Sequence, residues 1–528
     1  MSTTISDETV LGPGVDAAKD GFDWVDLEVV KPTEEAIALA PGDFALRNQV
    51  LPLAIEHGIL VAAIGSPESL SAVDELGLLV RMPTRAVLAA APFVREKIEE
   101  IFLERILAGL PGQGDASSSV MEVDDTTDLA DLQKMAGETA VVQMVNLIFA
   151  QAVRDGASDI HVEPYERTVK IRYRVDGMLR EVMSPPKRMH AAIVSRLKIL
   201  GEMNIAERRL PQDGRIKITI AGRAIDVRVS IVPTSYGERA VMRILDKNTA
   251  MLGLEELGMR ADTLERYRTI ISLPYGVILA TGPTGSGKST SLYASLREIW
   301  SPTTNILTVE DPVEYQLPGI GQIPIRPQIG LTFANGLRSI VRQDPDVIMV
   351  GEIRDQETAD IAINAALTGH LVFSTLHTND AAGAVTRLLD MGVEPYLVAS
   401  SLIGTIAQRL VRRNCSHCSV PYVPTPESLE AIGITGKDWT GTPPFRRGEG
   451  CDRCQNTGYR GRVGLYELFL VDENIRRMTV GRSSSNDMKD YAVKNQGMRT
   501  LLGDGVFAVL EGKTTPEEIL RVCRRETI

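Results

Sequence analysis

The sequence has no long apolar run and no surplus of basic residues. None of its hydrophobic stretches approaches the roughly 18 consecutive residues of a membrane-spanning helix. Residues 1–20 also lack the basic-then-apolar order of a secretory signal peptide. The formal net charge of -12 argues against a broad nucleic-acid surface, because neutralising phosphates requires clustered lysine and arginine. We therefore expect a cytoplasmic protein that associates with membranes only through partners, with no nucleic-acid partner, and a DNA translocase is disfavoured.

Cysteine is also scarce, and most of it falls in one pattern. Five cysteines occur in 528 residues, and four of them form two C-x-x-C pairs with 32 residues between the pairs. In a reducing compartment such pairs bind metal more often than they form disulfides. Four thiolates close a tetrahedral Zn²⁺ site without an open position, so we predict a structural metal site. His417 is an alternative ligand, and the predicted ligands are Cys415, Cys418, Cys451 and Cys454.

Composition divides the chain into several segments. A hydrophobic content of 44% and a charged content of 24% are ordinary for globular domains, and the length suggests three or four of them. Glycine, proline and serine followed by an acidic run predict one long linker. The predicted organisation is a flexible tail at 1–21, an N-terminal partner-docking domain at 22–108, a flexible acidic linker at 109–138, an arginine-bearing domain at 139–250, a nucleotide-binding core at 251–413, a tetracysteine zinc-binding lobe at 414–456 and a C-terminal helical region at 457–528.

The glycine-rich stretch 282–290 fits the phosphate-binding pattern G-x-x-x-x-G-K-[ST]. The apolar run 276–280 predicts a buried strand before it, and apolar residues at helical spacing predict a helix after it. Backbone N–H groups at such a helix N-terminus favour phosphate. Lys288 would reach the β- and γ-phosphates, and Ser289 would hold Mg²⁺. We therefore predict ATP and Mg²⁺ as cofactors, bound by Gly282, Pro283, Thr284, Gly285, Ser286, Gly287, Lys288, Ser289 and Thr290.

Three further apolar strands are predicted to end in groups that suit phosphoryl transfer. They precede Glu310, Glu352 and His377. Open parallel sheets bind ligands at the carboxyl ends of their strands, so these groups should meet the phosphate loop. Glu352 would hold Mg²⁺ through water or orient the attacking water, Glu310 would polarise water, and His377 would sense the γ-phosphate. The alternative for each is a structural role, which for His377 means a hydrogen-bonded histidine at a strand end.

Arginine recurs on the polar faces of the strands predicted between residues 169 and 243. Its planar guanidinium grips oxyanions in a bidentate manner and keeps its charge, so such a sheet can present cations to phosphates. The alternative is an ordinary solvated strand face.

Four of these segments together resemble the nucleotide boxes of the secretion ATPase superfamily, specifically the type II secretion and type IV pilus assembly motors. They are the Walker A loop at 282–290, the Asp box at 308–314, the Walker B segment at 344–355 and the His box at 368–379. The match extends from about residue 141 to the C-terminus. It implies a multidomain α/β fold with a RecA-like P-loop ATPase core, a PAS-like α+β domain, a small N-terminal domain and a tetracysteine zinc lobe.

The resemblance also implies a homo-hexamer in which arginines of the PAS-like domain act on the phosphates. Arg215 and Arg228 are the candidates, with Arg243 third. The implied activity is ATP hydrolysis that powers pseudopilus assembly and protein export by a type II secretion system. Cytoplasmic parts of inner-membrane platform proteins would be the partners. The alternatives are a type IV pilus assembly ATPase and, in a different class, a nucleotide-dependent scaffold with incidental hydrolysis.

Residues 47–67 resemble the start of the small N-terminal domain of secretion and pilus ATPases. Some of those domains bind a cyclic dinucleotide. Here the expected Arg-Leu-Gly is replaced by Arg47-Asn48-Gln49, so a cyclic dinucleotide stays an open alternative as a ligand.

Overall fold

The computed structural model describes residues 15–101 with short gaps, then 139–220, 223–246, 252–434 and 445–523. Most of the predicted tail, Arg47 and the predicted linker at 109–138 lie outside these residues. The chain divides into two compact units. The first includes the described residues up to Tyr173 together with Glu181–Arg243, and the second includes Arg174–Arg180 and the chain from Ile244 onwards.

The first unit begins with a five-stranded sheet in the order β1-β2-β5-β4-β3. The strands β3 and β4 come from the apolar runs on either side of Gly58 and form an antiparallel hairpin, with Gly58 at φ +81° in its turn. The sequence predicts a flexible tail up to residue 21, yet β1 lies within that stretch and pairs with β2, which directly follows it. The elements are β1 Val15–Lys19, β2 Phe22–Val25, α1 Glu34–Leu39, β3 Val50–Glu56, β4 Ile59–Ile64, α2 Leu70–Val80 and β5 Thr84–Leu88.

The first unit continues with a six-stranded sheet in the order β8-β7-β6-β11-β10-β9. Alternation along β7 buries Val169, Ile171 and Tyr173, and the Tyr173 hydroxyl donates to the Ile148 carbonyl at 2.7 Å, which fixes the preceding helix against the sheet. The elements are α3 Thr139–Arg154, β6 Ala157–Pro164, β7 Val169–Val175, β8 Met178–Met183, α4 His190–Leu200, β9 Gln212–Ile220, β10 Arg223–Thr234 and β11 Gly237–Asp246.

The second unit is built on a seven-stranded sheet in the order β14-β13-β15-β16-β12-β17-β20. Its central strands are parallel and buried on both faces, as continuous apolar runs predict. The strands are β12 Gly276–Thr281, β13 Ile306–Glu310, β14 Gly321–Pro324, β15 Val347–Val350, β16 Leu371–Leu376, β17 Leu402–Asn414 and β20 Tyr459–Leu470. Helix α5 Ala261–Ile271 precedes β12. The helices between the strands are α6 Lys288–Ile299, α7 Phe333–Ile340, α8 Gln356–Leu367, α9 Gly383–Asp390 and α10 Pro395–Ser401.

The last strand of this sheet lies at the start of the predicted C-terminal region 457–528, where the sequence indicates a strand at 458–470 before the helices. β20 pairs antiparallel with β17 along nearly its whole length and covers an edge that would otherwise expose unpaired backbone groups. The cysteine-bearing segment emerges between the two strands, and four helices, here called the C-terminal cap, follow β20. The remaining elements are β18 Ser419–Pro421, α11 Pro426–Ala431, β19 Arg446–Gly448, α12 Glu473–Val480, α13 Ser485–Gln496, α14 Leu501–Leu510 and α15 Pro516–Val522.

Within the described part of the chain, every helix is too short or too polar to traverse a lipid bilayer.

Candidate functional site

Four neighbouring parallel strands end at one edge of the large sheet. β13, β15, β16 and β12 lie side by side in that order. Glu310 is the last residue of β13, Glu352 and His377 follow β15 and β16, and the phosphate loop follows β12. Carboxyl ends of parallel strands meet at one edge, so the topology gathers the predicted groups there.

The phosphate loop depends on glycine where its backbone turns back against β17. Gly282 has φ +142°, and a Cβ atom there would lie 2.7 Å from the Gln408 carbonyl oxygen. Gly287 has φ +91° and precedes the first residue of α6. The Gln408 side chain donates to the Ser286 carbonyl oxygen at 2.8 Å, so a residue of β17 holds the backbone of the phosphate loop in place. Such a wrapped backbone at a helix N-terminus suits a phosphate group.

Two groups of the loop are poised for an anion. The Lys288 ammonium folds back onto the loop and donates to the carbonyl oxygens of Gly282 at 2.8 Å and Pro283 at 3.1 Å. Burial lowers the pKa of Lys288, and the Glu352 carboxylate acts in the opposite direction. The Ser286 hydroxyl oxygen is buried and has no hydrogen-bond partner among the described residues. A buried hydroxyl without a partner is costly, so a phosphate oxygen at this place fits the loop.

Glu352 and His377 form a pair at the strand ends. The Glu352 side chain is 16% exposed, and its Oε2 lies 3.4 Å from Nε2 of His377. Arg354 makes an ion pair with the same carboxylate, a contact the sequence did not single out although Arg354 lies in the Walker B segment. Both partners can orient the carboxylate. His377 is half-exposed and faces a carboxylate, a contact that suits both a γ-phosphate sensor and the hydrogen-bonded strand-end histidine of the structural alternative.

Glu310 lies at the same edge of the sheet, but its side chain points into the protein interior. Its residue is 4% exposed, and its carboxylate accepts hydrogen bonds from Tyr293, Thr308 and Gln322. Burial raises the pKa of Glu310, against the lowering effect of these donors. Four residues further on, Glu314 is partly exposed, and its backbone N–H donates to the Tyr293 hydroxyl at 3.3 Å. The sequence analysis did not single out Glu314 or Tyr293, although Glu314 is the last residue of the Asp box at 308–314.

The arginine candidates lie in the first unit, on adjacent strands. Arg215 of β9 and Arg228 of β10 stand directly opposite each other in the antiparallel register, so both side chains leave the same face of the sheet. Arg215 also forms an ion pair of 2.9 Å with Asp226. Arg243 pairs with Asp159 at 3.2 Å.

The four predicted cysteines come together. Their sulfur atoms all lie within 4.8 Å of one another, and three of the separations are 3.7, 3.8 and 3.9 Å. A tetrahedral site with metal–sulfur bonds of about 2.3 Å places its sulfurs about 3.8 Å apart. The backbone N–H groups of Cys451 and Gly458 donate to the Cys454 sulfur, as suits a thiolate. The cluster therefore fits a closed tetrahedral metal ion, and His417 is not part of it.

Two protein-family models match the chain. The model described as "Type II/IV secretion system protein" matches residues 134–521, and the MshEN domain model matches residues 21–106.

Relatives of known name match over most of the chain. The type II secretion system protein HxcR of Pseudomonas aeruginosa is 50% identical over 461 residues, which are 87% of this chain and 90% of that protein. The type IV pilus assembly ATPase PilB of Thermus thermophilus is 42% identical over 96% of this chain but only 56% of its own length. Among solved structures, the ATPase DotB of Legionella pneumophila is similar with a TM-score of 0.54 and 20% identity, covering 72% of this chain and 94% of that one. This last likeness concerns the fold alone.

Proposed function

The chain belongs to the type II/IV secretion system protein family and is an ATP-hydrolysing enzyme, and from that premise we propose that it powers pseudopilus assembly and protein export in a type II secretion system. The relatives named for type II secretion support this branch of the family. The geometry supports the reaction class, because a phosphate loop and acidic strand ends share one edge of a parallel sheet.

Each residue at this edge has a proposed task. Lys288 and the loop backbone bind and orient the β- and γ-phosphates, and Ser289 together with Glu352 holds Mg²⁺, which neutralises phosphate charge when bound. Glu352 also orients the attacking water, and His377 donates towards the γ-phosphate. Glu310 is proposed to polarise water, and its burial makes partly exposed Glu314 the alternative. Arg215 and Arg228 are proposed to stabilise the charge that develops on the transferred phosphoryl group.

The observation that carries the proposal is the Glu352–His377 pair beside the Lys288 loop. Glu352→Gln keeps the size of the side chain but removes its charge, so the variant should bind ATP and lose turnover by about 100-fold or more. Binding of a fluorescent ATP analogue and release of phosphate measure the two effects separately.

A matched control is Glu265→Gln, an exposed glutamate on α5 of the same unit. Its turnover should equal that of the unaltered protein. If Glu352→Gln hydrolyses ATP normally, or if the protein shows no Mg²⁺-dependent turnover when assembled with its partner, the motor proposal is wrong. In the second case the nucleotide-dependent scaffold becomes the better hypothesis.

A second candidate function is assembly of a type IV pilus, which the match to PilB over 96% of this chain favours. Deleting the gene in its host discriminates the two branches. Loss of exported enzymes from the culture medium with surface pili retained supports type II secretion, and the opposite pattern supports pilus assembly.

We further propose that the tetracysteine cluster holds Zn²⁺ and that the protein works as a homo-hexamer in the cytoplasm, associated with the inner membrane through platform proteins. The N-terminal domain, which the MshEN model matches, is the proposed docking site for a cytoplasmic part of those proteins. Isothermal titration of this protein with a cyclic dinucleotide tests the ligand that the Arg47-Asn48-Gln49 departure puts in question.

A further inference from the structure

A cluster of charges lies beneath the strand end that carries His377. Glu467 of β20 is fully buried, Lys489 of α13 is 6% exposed and Arg409 of β17 is 9% exposed. The Lys489 ammonium lies 3.4 Å from Oδ2 of Asp380 and 3.7 Å from Oε2 of Glu467. Burying charges costs free energy unless they are paired and hydrogen-bonded, so each member depends on the others.

The cluster fixes the loop that begins at His377 and leads into α9. The Glu467 carboxylate accepts the Ala381 backbone N–H at 2.8 Å, and Arg409 donates to the Asn379 carbonyl oxygen at 2.8 Å. Asp380 accepts the Gly383 backbone N–H at 2.9 Å through its other carboxylate oxygen. The backbone of this loop is therefore held by side chains that come from later parts of the chain.

The same side chains anchor the C-terminal cap. Glu467 accepts the backbone N–H of Leu501, the first residue of α14, at 3.2 Å through the oxygen that faces Lys489. Lys489 itself belongs to α13. One buried carboxylate thus bridges the His377 loop to the start of one cap helix and to the ammonium of another. A displacement of either helix must disturb a hydrogen bond or ion pair of the loop, because packed interiors do not deform continuously.

We propose that Lys489 and Glu467 are positioning residues through which the C-terminal cap sets His377 against Glu352. The inference rests on the proposed role of His377 in hydrolysis. The contacts described above join Lys489 and Glu467 to the His377 loop and to the cap helices, so we expect them to act on turnover through that loop and to leave ATP binding largely unchanged. The C-terminal cap would then influence the rate of ATP hydrolysis in addition to packing against the sheet.

The test begins with Lys489→Met, which keeps a long apolar stem and removes the charge. Turnover should fall about 10- to 100-fold, since displacing a catalytic group by about 1 Å is enough for such losses, while affinity for a fluorescent ATP analogue stays unchanged. The matched control is Lys494→Met, an exposed lysine on the same helix, which should behave like the unaltered protein.

A double-mutant cycle separates positioning from a general loss of stability. On a His377→Ala background, Lys489→Met should reduce turnover by less than about twofold, because residues that act through one another are not additive. Fully additive losses overturn the proposal. If Lys489→Met does not fold, Asp380→Asn takes its place, since it removes the charge facing Lys489 and keeps an acceptor for Gly383.

Hydrogen exchange of peptides spanning residues 377–385 provides a readout without turnover. Lys489→Met should accelerate exchange there about tenfold or more, because the held amides become free to open. Unchanged exchange in Lys489→Met overturns the positioning proposal even when the turnover of that variant falls. Accelerated exchange in a protein that does not hydrolyse ATP supports the coupling of cap and loop and contradicts the proposed function instead.

Discussion

At the residue scale, the phosphate loop shows why particular glycines are required. A side chain at Gly282 would collide with the Gln408 carbonyl oxygen, whereas a side chain at Gly285 would meet nothing within 4 Å. Both glycines have a positive φ, so a side chain would strain the backbone at either position. Only at Gly282 would it also clash with β17.

Gly282→Ala should therefore lower the free energy of unfolding by about 2–3 kcal/mol, through overpacking added to backbone strain. Gly285→Ala should cost about 1 kcal/mol, since strain is its only penalty. Urea denaturation of the two variants without nucleotide gives the comparison. Equal destabilisation would contradict the contact with β17.

Tyr293 shows how a buried hydroxyl can organise an acidic strand end. It donates to the Glu310 carboxylate and accepts the Glu314 backbone N–H. Tyr293→Phe should destabilise the protein by about 1–3 kcal/mol, because a buried carboxylate loses a donor. The exposed Tyr275 supplies the control, and Tyr275→Phe should leave the unfolding midpoint in place.

The sequence predicted the phosphate loop and the cysteine ligands because both are short local patterns whose chemistry depends on their spacing. It did not predict the surroundings of Glu310. Tyr293 is 17 residues away and Gln322 is 12 residues away, so their contacts with the carboxylate arise only from tertiary packing. A sequence pattern gives the position of a carboxylate along the chain, but its pKa and its access to water depend on how the folded protein buries it.

At the element scale, the parallel strands β12, β13, β15 and β16 were predictable from apolar runs that end in polar residues. The pairing of β17 with β20 was not, because it joins segments separated by the whole cysteine-bearing lobe. The small N-terminal hairpin was predictable since its turn residue Gly58 falls between two apolar runs. Local periodicity therefore predicted elements, and long-range pairing required the structure.

Glu518 of helix α15 forms an ion pair with Arg412 of β17 and so connects the two elements. This buried carboxylate pairs with Arg412 at 2.8 Å and Arg521 at 2.5 Å. Burial alone would raise the pKa of Glu518, but the hydrogen bonds from Arg521 and Arg412 lower it to about 2. Since the unfolded chain takes up the proton at a higher pH, the stabilisation is complete above an ordinary pKa of 4.5 and is lost as pH falls towards 2.

Glu518→Gln should therefore flatten the decline of stability between about pH 5 and pH 2. It should also cost roughly 3 kcal/mol at neutral pH, because it breaks a buried pair. Urea midpoints measured across this range test both effects. The neighbouring Glu517 is exposed, so Glu517→Gln should keep the pH dependence of the unaltered protein. A steep decline retained in Glu518→Gln would assign the effect to other carboxylates.

Four clustered cysteines, proposed to hold Zn²⁺, lie near the end of β17 and before β20. Cys454→Ser should reduce bound zinc from one per chain to well below that, because a structural site requires four soft ligands. Loss of the metal should also destabilise the lobe, since binding free energy is folding free energy at such sites. Elemental analysis gives the first result and hydrogen exchange at residues 415–421 the second. Cys523→Ser, outside the cluster, should retain full zinc.

At the scale of the whole molecule, Arg215 and Arg228 of the first unit remain the proposed source of positive charge for the transferred phosphoryl group. Arg215→Gln and Arg228→Gln should each lower turnover by about 1,000-fold if they stabilise phosphoryl-transfer charge, with ATP binding largely kept. Arg209→Gln is the matched control, since its side chain is 89% exposed and pairs with Glu207 two residues before it. Normal turnover in both test variants would show that the arginines belong to an ordinary solvated face.

The antiparallel closure of the large sheet by β20 has a consequence for biosynthesis. While the ribosome is still translating residues up to 458, β17 has no partner on its outer edge, and unpaired edges recruit strands from other chains. The nascent chain therefore exposes an aggregation-prone strand edge until the whole cysteine-bearing segment has been synthesised. If the cysteines hold Zn²⁺ as proposed, zinc availability during translation should affect the yield of intact protein, because metal binding would bring β20 to β17 before another chain can pair there.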